Sequence, residues 1–256
     1  MPTATDSALA RTAAGLRSAI AFLTLIPVPL ARRPHGGFAD APGWFPLVGA
    51  GIGAVGGGVR AGTGAAFGAT VGSALALIAM VALTGALHLD GLADTADGLG
   101  VRGNLQRRLD VMRDPANGTF ATLALGLWGL LWFAIVVSLD AGQAVRTLIA
   151  AAACGRWMAV VHGSLLGPAR SDGLGSAFAP TRSQLVLATV WALAASLIAL
   201  GVGTGAAAFG AALVAGLAFT GFAQRAFGGQ TGDTLGACVV IAETAAAVAA
   251  LALLVP

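Results

Sequence analysis

The chain reads as an all-α protein, a polytopic membrane helix bundle of about 6–8 transmembrane or re-entrant segments forming a single integral membrane domain over residues 1–256. Three observations lead there. Of the 256 residues, 57% are hydrophobic and only 10% charged, less than half the charged share of an ordinary soluble domain. Apolar runs of about 20 residues recur, each long enough to cross a bilayer as a helix. Glycines also fall four apart, at Gly49, Gly53 and Gly57 and again at Gly64, Gly68 and Gly72. Small residues at that spacing let membrane helices approach closely, which explains these glycines better than a phosphate-cradling loop.

The apolar runs are 14–31, 45–60, 64–87, 119–139, 145–166, 184–201, 205–223 and 235–255. The first follows Arg11 and Arg17 but is broken by Pro27 and Pro29 and lacks a small-residue cleavage site, so a removable signal peptide is not expected. The second is short and Gly-rich. Both are expected as interfacial, re-entrant or spanning segments, and the other six as spans. Pairs of spans separate 88–118, 167–183 and 224–234, which places these polar segments on one side of the bilayer. They hold Arg102, Arg107, Arg108, Arg113, Arg170, Arg182 and Arg225, whereas the connections at 61–63, 140–144 and 202–204 hold no Arg, with Arg60 and Arg146 at their edges. Basic residues concentrate in cytoplasmic loops, so that face is expected in the cytoplasm.

Composition also excludes several functions. A net charge of +3 spread over the chain offers no nucleic-acid surface, and a chain without Lys contains no G-x-x-x-x-G-K phosphate loop. Cys154 and Cys238 lie singly in apolar runs and read as packing residues.

The acids carry the chemistry. Between Leu87 and Phe120 stand five of the eleven, Asp90, Asp94, Asp97, Asp110 and Asp114. In a helix, positions i, i+4 and i+7 place Asp90, Asp94 and Asp97 within roughly 60° on one stripe. Three like charges repel, and no basic residue is interleaved to neutralise them, so a hard divalent cation such as Mg²⁺ is expected there. Asp110 and Asp114 repeat the i, i+4 spacing, with Arg107 and Arg113 close enough to pair with them or with a phosphate; solvated loop charges explain this second group equally well. In ARSDGLG (169–175) Arg170 and Asp172 are expected as a pair, and GGQTGDTLGA (228–237) sets Asp233 at the start of the last span. Thr231 and Thr234 read as helix caps, although exposed amides there also suit an anion. Arg156, His162 and Glu243 fall at hydrophobic depth, where ionisable groups usually face a polar interior. His162 reads as a satisfied core histidine, while Glu243, the only Glu, is expected to reach the site, to pair with Arg156 or merely to tether two helices.

FLTLIPVP (22–29), FPLVGAGIG (45–53), HLDGLADTADGLG (88–100), RRLDVMRDPANGTF (107–120), GRWM (155–158), ARSDGLG and GGQTGDTLGA, in this order, resemble the cobalamin synthase family of adenosylcobinamide-GDP ribazoletransferases, from about Phe22 to Glu243. The sequence departs from the pattern at Val161–Gly163, where a Pro-containing helix end is expected, and at Gln230, where an aliphatic residue is expected. The resemblance implies a transferase that joins adenosylcobinamide-GDP to α-ribazole or its 5′-phosphate, releases GMP and requires Mg²⁺. It also implies a bacterial inner membrane, with the site facing the cytoplasm and the bilayer as partner; a homo-oligomer is left open. Asp90, Asp94 and Asp97 are assigned to Mg²⁺ and catalysis, with one of them or Asp110 as base. Arg113, Arg156 and Arg170 are assigned to phosphate contacts, and His88, Asp114, Asp172, Thr231, Asp233 and Glu243 complete the expected substrate-binding set. A CDP-alcohol phosphotransferase would need D-G-x-x-A-R, but Asp94 and Thr95 follow Ala93 here. A transporter would concentrate its charges near the bilayer midplane, not at one edge.

Overall fold

Glycine decides where several of these helices stop. In the computed structural model, which describes residues 4–29 and 39–255 (side chains from Thr12 onward), the helices are α1 (Ala4–Leu23), α2 (Phe45–Phe67), α3 (Ala69–Thr84), α4 (Leu87–Gly100), α5 (Leu105–Val111), α6 (Thr119–Ser138), α7 (Ala141–Leu165), α8 (Leu174–Ala177), α9 (Arg182–Leu200), α10 (Val202–Phe227) and α11 (Gly232–Leu254). Residues 30 and 31 of the first predicted run lie outside the described residues. The expected run 64–87 is not one helix: α2 continues to Phe67, and Gly68, at φ 85°, turns the chain into α3. Gly68 is therefore a turn and not a packing contact, because only a residue without Cβ takes that conformation without strain. The other connections at that end are equally short. A capping box between Asp140 and Gln143 starts α7, and Gly201 alone joins α9 to α10.

Five helices, α6, α7, α9, α10 and α11, are long and apolar enough to cross a membrane. The sixth expected span meets that test only as α3 together with α4, bent by 89° at Gly85 and Ala86. Ala86 adopts a left-handed φ of 59°, which costs a residue with a Cβ about 1–2 kcal/mol, so packing must hold this corner. The polar segments are more ordered than loops: 88–118 folds as α4 and α5, and 224–234 shrinks to the residues between Phe227 and Gly232. Among the described residues there is no strand, only an isolated bridge between Pro168 and Gln230.

At the centre lies α7, packed against α2, α9, α10 and α11. Its Ala150–Ala153 tract is fully buried. A Cβ on Gly49, Gly53 or Gly57 would collide with the backbone at Ala152, Leu148 and Val145, so the expected glycine stripe is the seam by which α2 meets α7. The outer faces are apolar instead: Leu127, Ile198 and Val214 are 65–84% exposed, as side chains facing lipid must be.

Candidate active site

The site begins with two glycines. A Cβ on Gly91 would lie 2.7 Å from the Asp233 carbonyl oxygen, and one on Gly236 would lie 3.3 Å from the backbone of Gly91 and His88. Their absence lets α4 cross the N-terminus of α11 at backbone contact. That crossing brings Asp94 into the field of Asp233, with Asp90 and Asp97 contributing from α4 itself. Burial first, and then these three carboxylates, push Asp94 from 3.8 up to about 7, with Arg170 opposing the shift.

Asp97 has a different environment from its neighbours on the helix. It is buried, and its carboxylate accepts the Gly118 N–H at 2.5 Å and the Ala121 N–H at 2.9 Å. The first turn of α6 thus finds its cap on another helix, an arrangement the macrodipole favours. Asp90 is exposed. Among the described residues no three His, Cys, Asp or Glu side chains converge as a ready-made metal set. The charge distribution still fits a hard cation, because the carboxylates facing Asp94 outnumber the one Arg that opposes them.

The remaining polar segments close over α4. Gln230 is buried, and its side chain donates to the carbonyls of Gly175 at 2.9 Å and Phe178 at 2.7 Å. Its backbone pairs with Gly167 and Ala169 at 2.8 Å, so the 167–178 segment is fastened to the turn before α11. This seats Arg170, whose Nη2 donates to Asp233 at 3.2 Å and whose Nη1 donates to the Leu109 carbonyl at 3.4 Å. Arg113 donates to both oxygens of Asp172 at 2.6 and 2.7 Å across the rim. The expected pair of Arg170 with Asp172 does not form: both are paired elsewhere, on different neighbouring elements. The expected stripe of Asp110 and Asp114 does not form either, because α5 ends at Val111 and Asp114 precedes Pro115, which disfavours helix. Asp114 accepts the Ala116 N–H at 3.0 Å, and Asp110 accepts from Gln106 at 2.8 Å and not from Arg107 or Arg113.

Below α4, Arg156 of α7 and Glu243 of α11 form a buried ion pair at 2.5 Å, one of the expected arrangements. Gly155 makes the approach possible, since a Cβ there would meet the Glu243 Cβ at 2.8 Å. The pair lines a small cavity, about 40 Å³, together with His88, Thr84 and Trp128. The Arg156 Nε, in the same pair, has no hydrogen-bond partner. Burial and the Arg156 charge push the His88 imidazole well below its ordinary range, so it is neutral. His88 also lines a cleft with the aromatic rings of Phe22, Phe45 and Phe178 and with Leu235. The rings of Phe45 stack on Phe22 and Phe178 at 5.6 and 5.8 Å.

Thr231 caps α11 as expected, in a capping box with Thr234, and its hydroxyl donates to Asp233 at 3.3 Å. His162 is fully buried and hydrogen-bonded, and Cys154 and Cys238 are buried free thiols. Sequence reasoning missed the Gln230 staple. Its only signal there was a polar residue at a position expected to be aliphatic.

Residues 15–251 match the family model described as cobalamin-5-phosphate synthase. Curated relatives named adenosylcobinamide-GDP ribazoletransferase include that of Bradyrhizobium diazoefficiens, 38% identical over 88% of each chain. That of Sinorhizobium medicae is 40% identical over 88% of this chain and 91% of its own, and that of Desulforamulus reducens 34% over 90% and 92%. No solved structure matches.

Proposed function

We propose, because this chain belongs to the cobalamin-5-phosphate synthase family, that it joins adenosylcobinamide-GDP to α-ribazole or its 5′-phosphate and releases GMP. The observation that carries the site assignment is the crossing of α4 and α11, which gathers Asp90, Asp94 and Asp233 beside Arg170 at one end of the bundle. The face opens to the cytoplasm of a bacterial inner membrane, on the arginine bias of its segments.

A hydroxyl oxygen of the ribazole sugar, free whether or not the 5′ position carries a phosphate, attacks the phosphorus on the cobinamide side of the pyrophosphate. The bond from that phosphorus to the bridging oxygen breaks, and the bridging oxygen leaves on GMP. The proton of that hydroxyl passes to a carboxylate of the cluster, Asp90 or Asp94. Asp90, Asp94 and Asp233 would hold Mg²⁺, which when bound neutralises charge on the pyrophosphate. Asp97 fixes α4 to α6 and contributes charge from behind. Arg170 and Arg113 sit at the rim where phosphate oxygens enter, each able to exchange its present carboxylate partner for a phosphate. The aromatic cleft beside His88 suits the flat, apolar base of the ribazole. No nucleophilic side chain is required, since positioning and charge neutralisation account for catalysis of such transfers.

Purified protein in lipid, given both substrates, should release GMP only when Mg²⁺ is present. Turnover unchanged by chelation would reject the metal, and no GMP with any divalent ion would reject the activity.

A further inference from the structure

His162 lies in α7, outside the acidic cluster, fully buried. Its Nδ1 is 2.9 Å from the Thr220 hydroxyl of α10, and its Nε2 is 3.3 Å from the Thr234 hydroxyl of α11. The directions of these bonds follow from their neighbours. Thr220 donates its one hydroxyl proton to the Gly216 carbonyl at 2.8 Å, so towards His162 its oxygen accepts. Nδ1 therefore carries the ring proton, and Nε2 of the neutral ring competes with the Thr231 carbonyl, 3.2 Å from the Thr234 oxygen, for the Thr234 hydroxyl proton. The Thr234 oxygen also accepts the Thr231 N–H at 2.8 Å, while Thr231 accepts the Thr234 N–H at 3.1 Å and donates to Asp233 at 3.3 Å.

We infer that His162 is a positioning residue for the transfer: through Thr234 and Thr231 it fixes the first turn of α11 and thereby the direction of the Asp233 carboxylate. A buried imidazole needs partners in any role, and here those partners tie α7 and α10 to the residue that closes the capping box. The inference rests on Asp233 belonging to the proposed site.

The test is a double-mutant cycle on the full chain in lipid, following GMP release. His162→Phe keeps the ring and its stacking on Phe219 but removes both nitrogens. It should lower kcat by about tenfold or more. In an Asp233→Asn background the same change should lower kcat less than twofold, because the group it positions is already altered. A conservative pair guards against a folding defect. His162→Gln places its amide near the lost Nε2 and should retain more activity than His162→Asn, which reaches only towards Thr220. Equal losses from His162→Phe in both backgrounds, or Asn outperforming Gln, would overturn the inference. Full activity of Asp233→Asn by itself would instead overturn the site assignment beneath it.

Discussion

Neutralising Asp94 separates charge from shape. Asp94→Asn keeps the side-chain volume, removes the repulsion with Asp90, Asp97 and Asp233, and should reduce GMP release by about a hundredfold or more. Its thermal midpoint in metal-free buffer should equal or exceed that of the parent. The pH dependence has a definite sign. With the folded group raised from 3.8 to about 7, the folded state holds this proton more tightly than the unfolded state. Metal-free protein therefore loses this part of its stability as the pH rises from about 4 to 7, with no further loss from this group above that. Thermal scans of parent and Asp94→Asn across that range would check it, since only the parent should slope. Glu243 poses a different question, because its partner Arg156 is equally buried. Glu243→Gln leaves an uncompensated cation, which should cost about 3–5 kcal/mol. Arg156→Met combined with Glu243→Leu should recover most of that stability. GMP release by this double variant then reports on function alone, and we expect it to stay at or below a tenth of the parent rate. A stable and fully active double variant would reduce the pair to a helix tether.

At the scale of elements, the site depends on how closely α4 approaches α11. Gly91→Ala inserts a methyl group 2.7 Å from the Asp233 carbonyl, so one helix must move. Activity should fall by about tenfold or more, since sub-ångström placement governs such reactions. Gly126→Ala in α6 meets nothing within 4 Å. It should leave turnover unchanged and stabilise the helix by about 0.5–1 kcal/mol. Assaying the two variants side by side for GMP release and thermal midpoint distinguishes loss of the crossing from a general intolerance of added methyl groups. The same crossing explains which part of the site was legible beforehand. The α4 stripe follows from helical spacing alone, so Asp90 and Asp94 could be read from the string, whereas Asp97, expected on the same metal, has its carboxylate taken by the first turn of α6. The partners of Arg170 and Asp172 could not, because they are chosen by loops that Gln230 fastens together.

For the whole molecule, topology is the consequence to test. Cysteines placed at Gly103 and Ser171, exposed at the charged end, should be protected from an impermeant thiol reagent in intact cells. A cysteine at Gly203, exposed near the opposite turn, should be labelled. The background would lack Cys154 and Cys238. Labelling of Gly103→Cys with protection of Gly203→Cys would invert the assignment. By itself the sequence determined the all-helical membrane class, the apolar runs, the gathering of acids at one edge and the family resemblance. These follow from local periodicity and composition, which bilayer thickness converts directly into spans. Only the tertiary structure decided that the Asp-rich string turns 89° from α3, that Asp97 caps α6, that Asp233 joins Asp94, and that Arg156 meets Glu243 beneath them. The last two pairings span long stretches of chain and depend on glycines at helix crossings, Gly91 and Gly155, where what matters is the side chain that is missing. A missing Cβ acquires meaning only when the opposing backbone is in place.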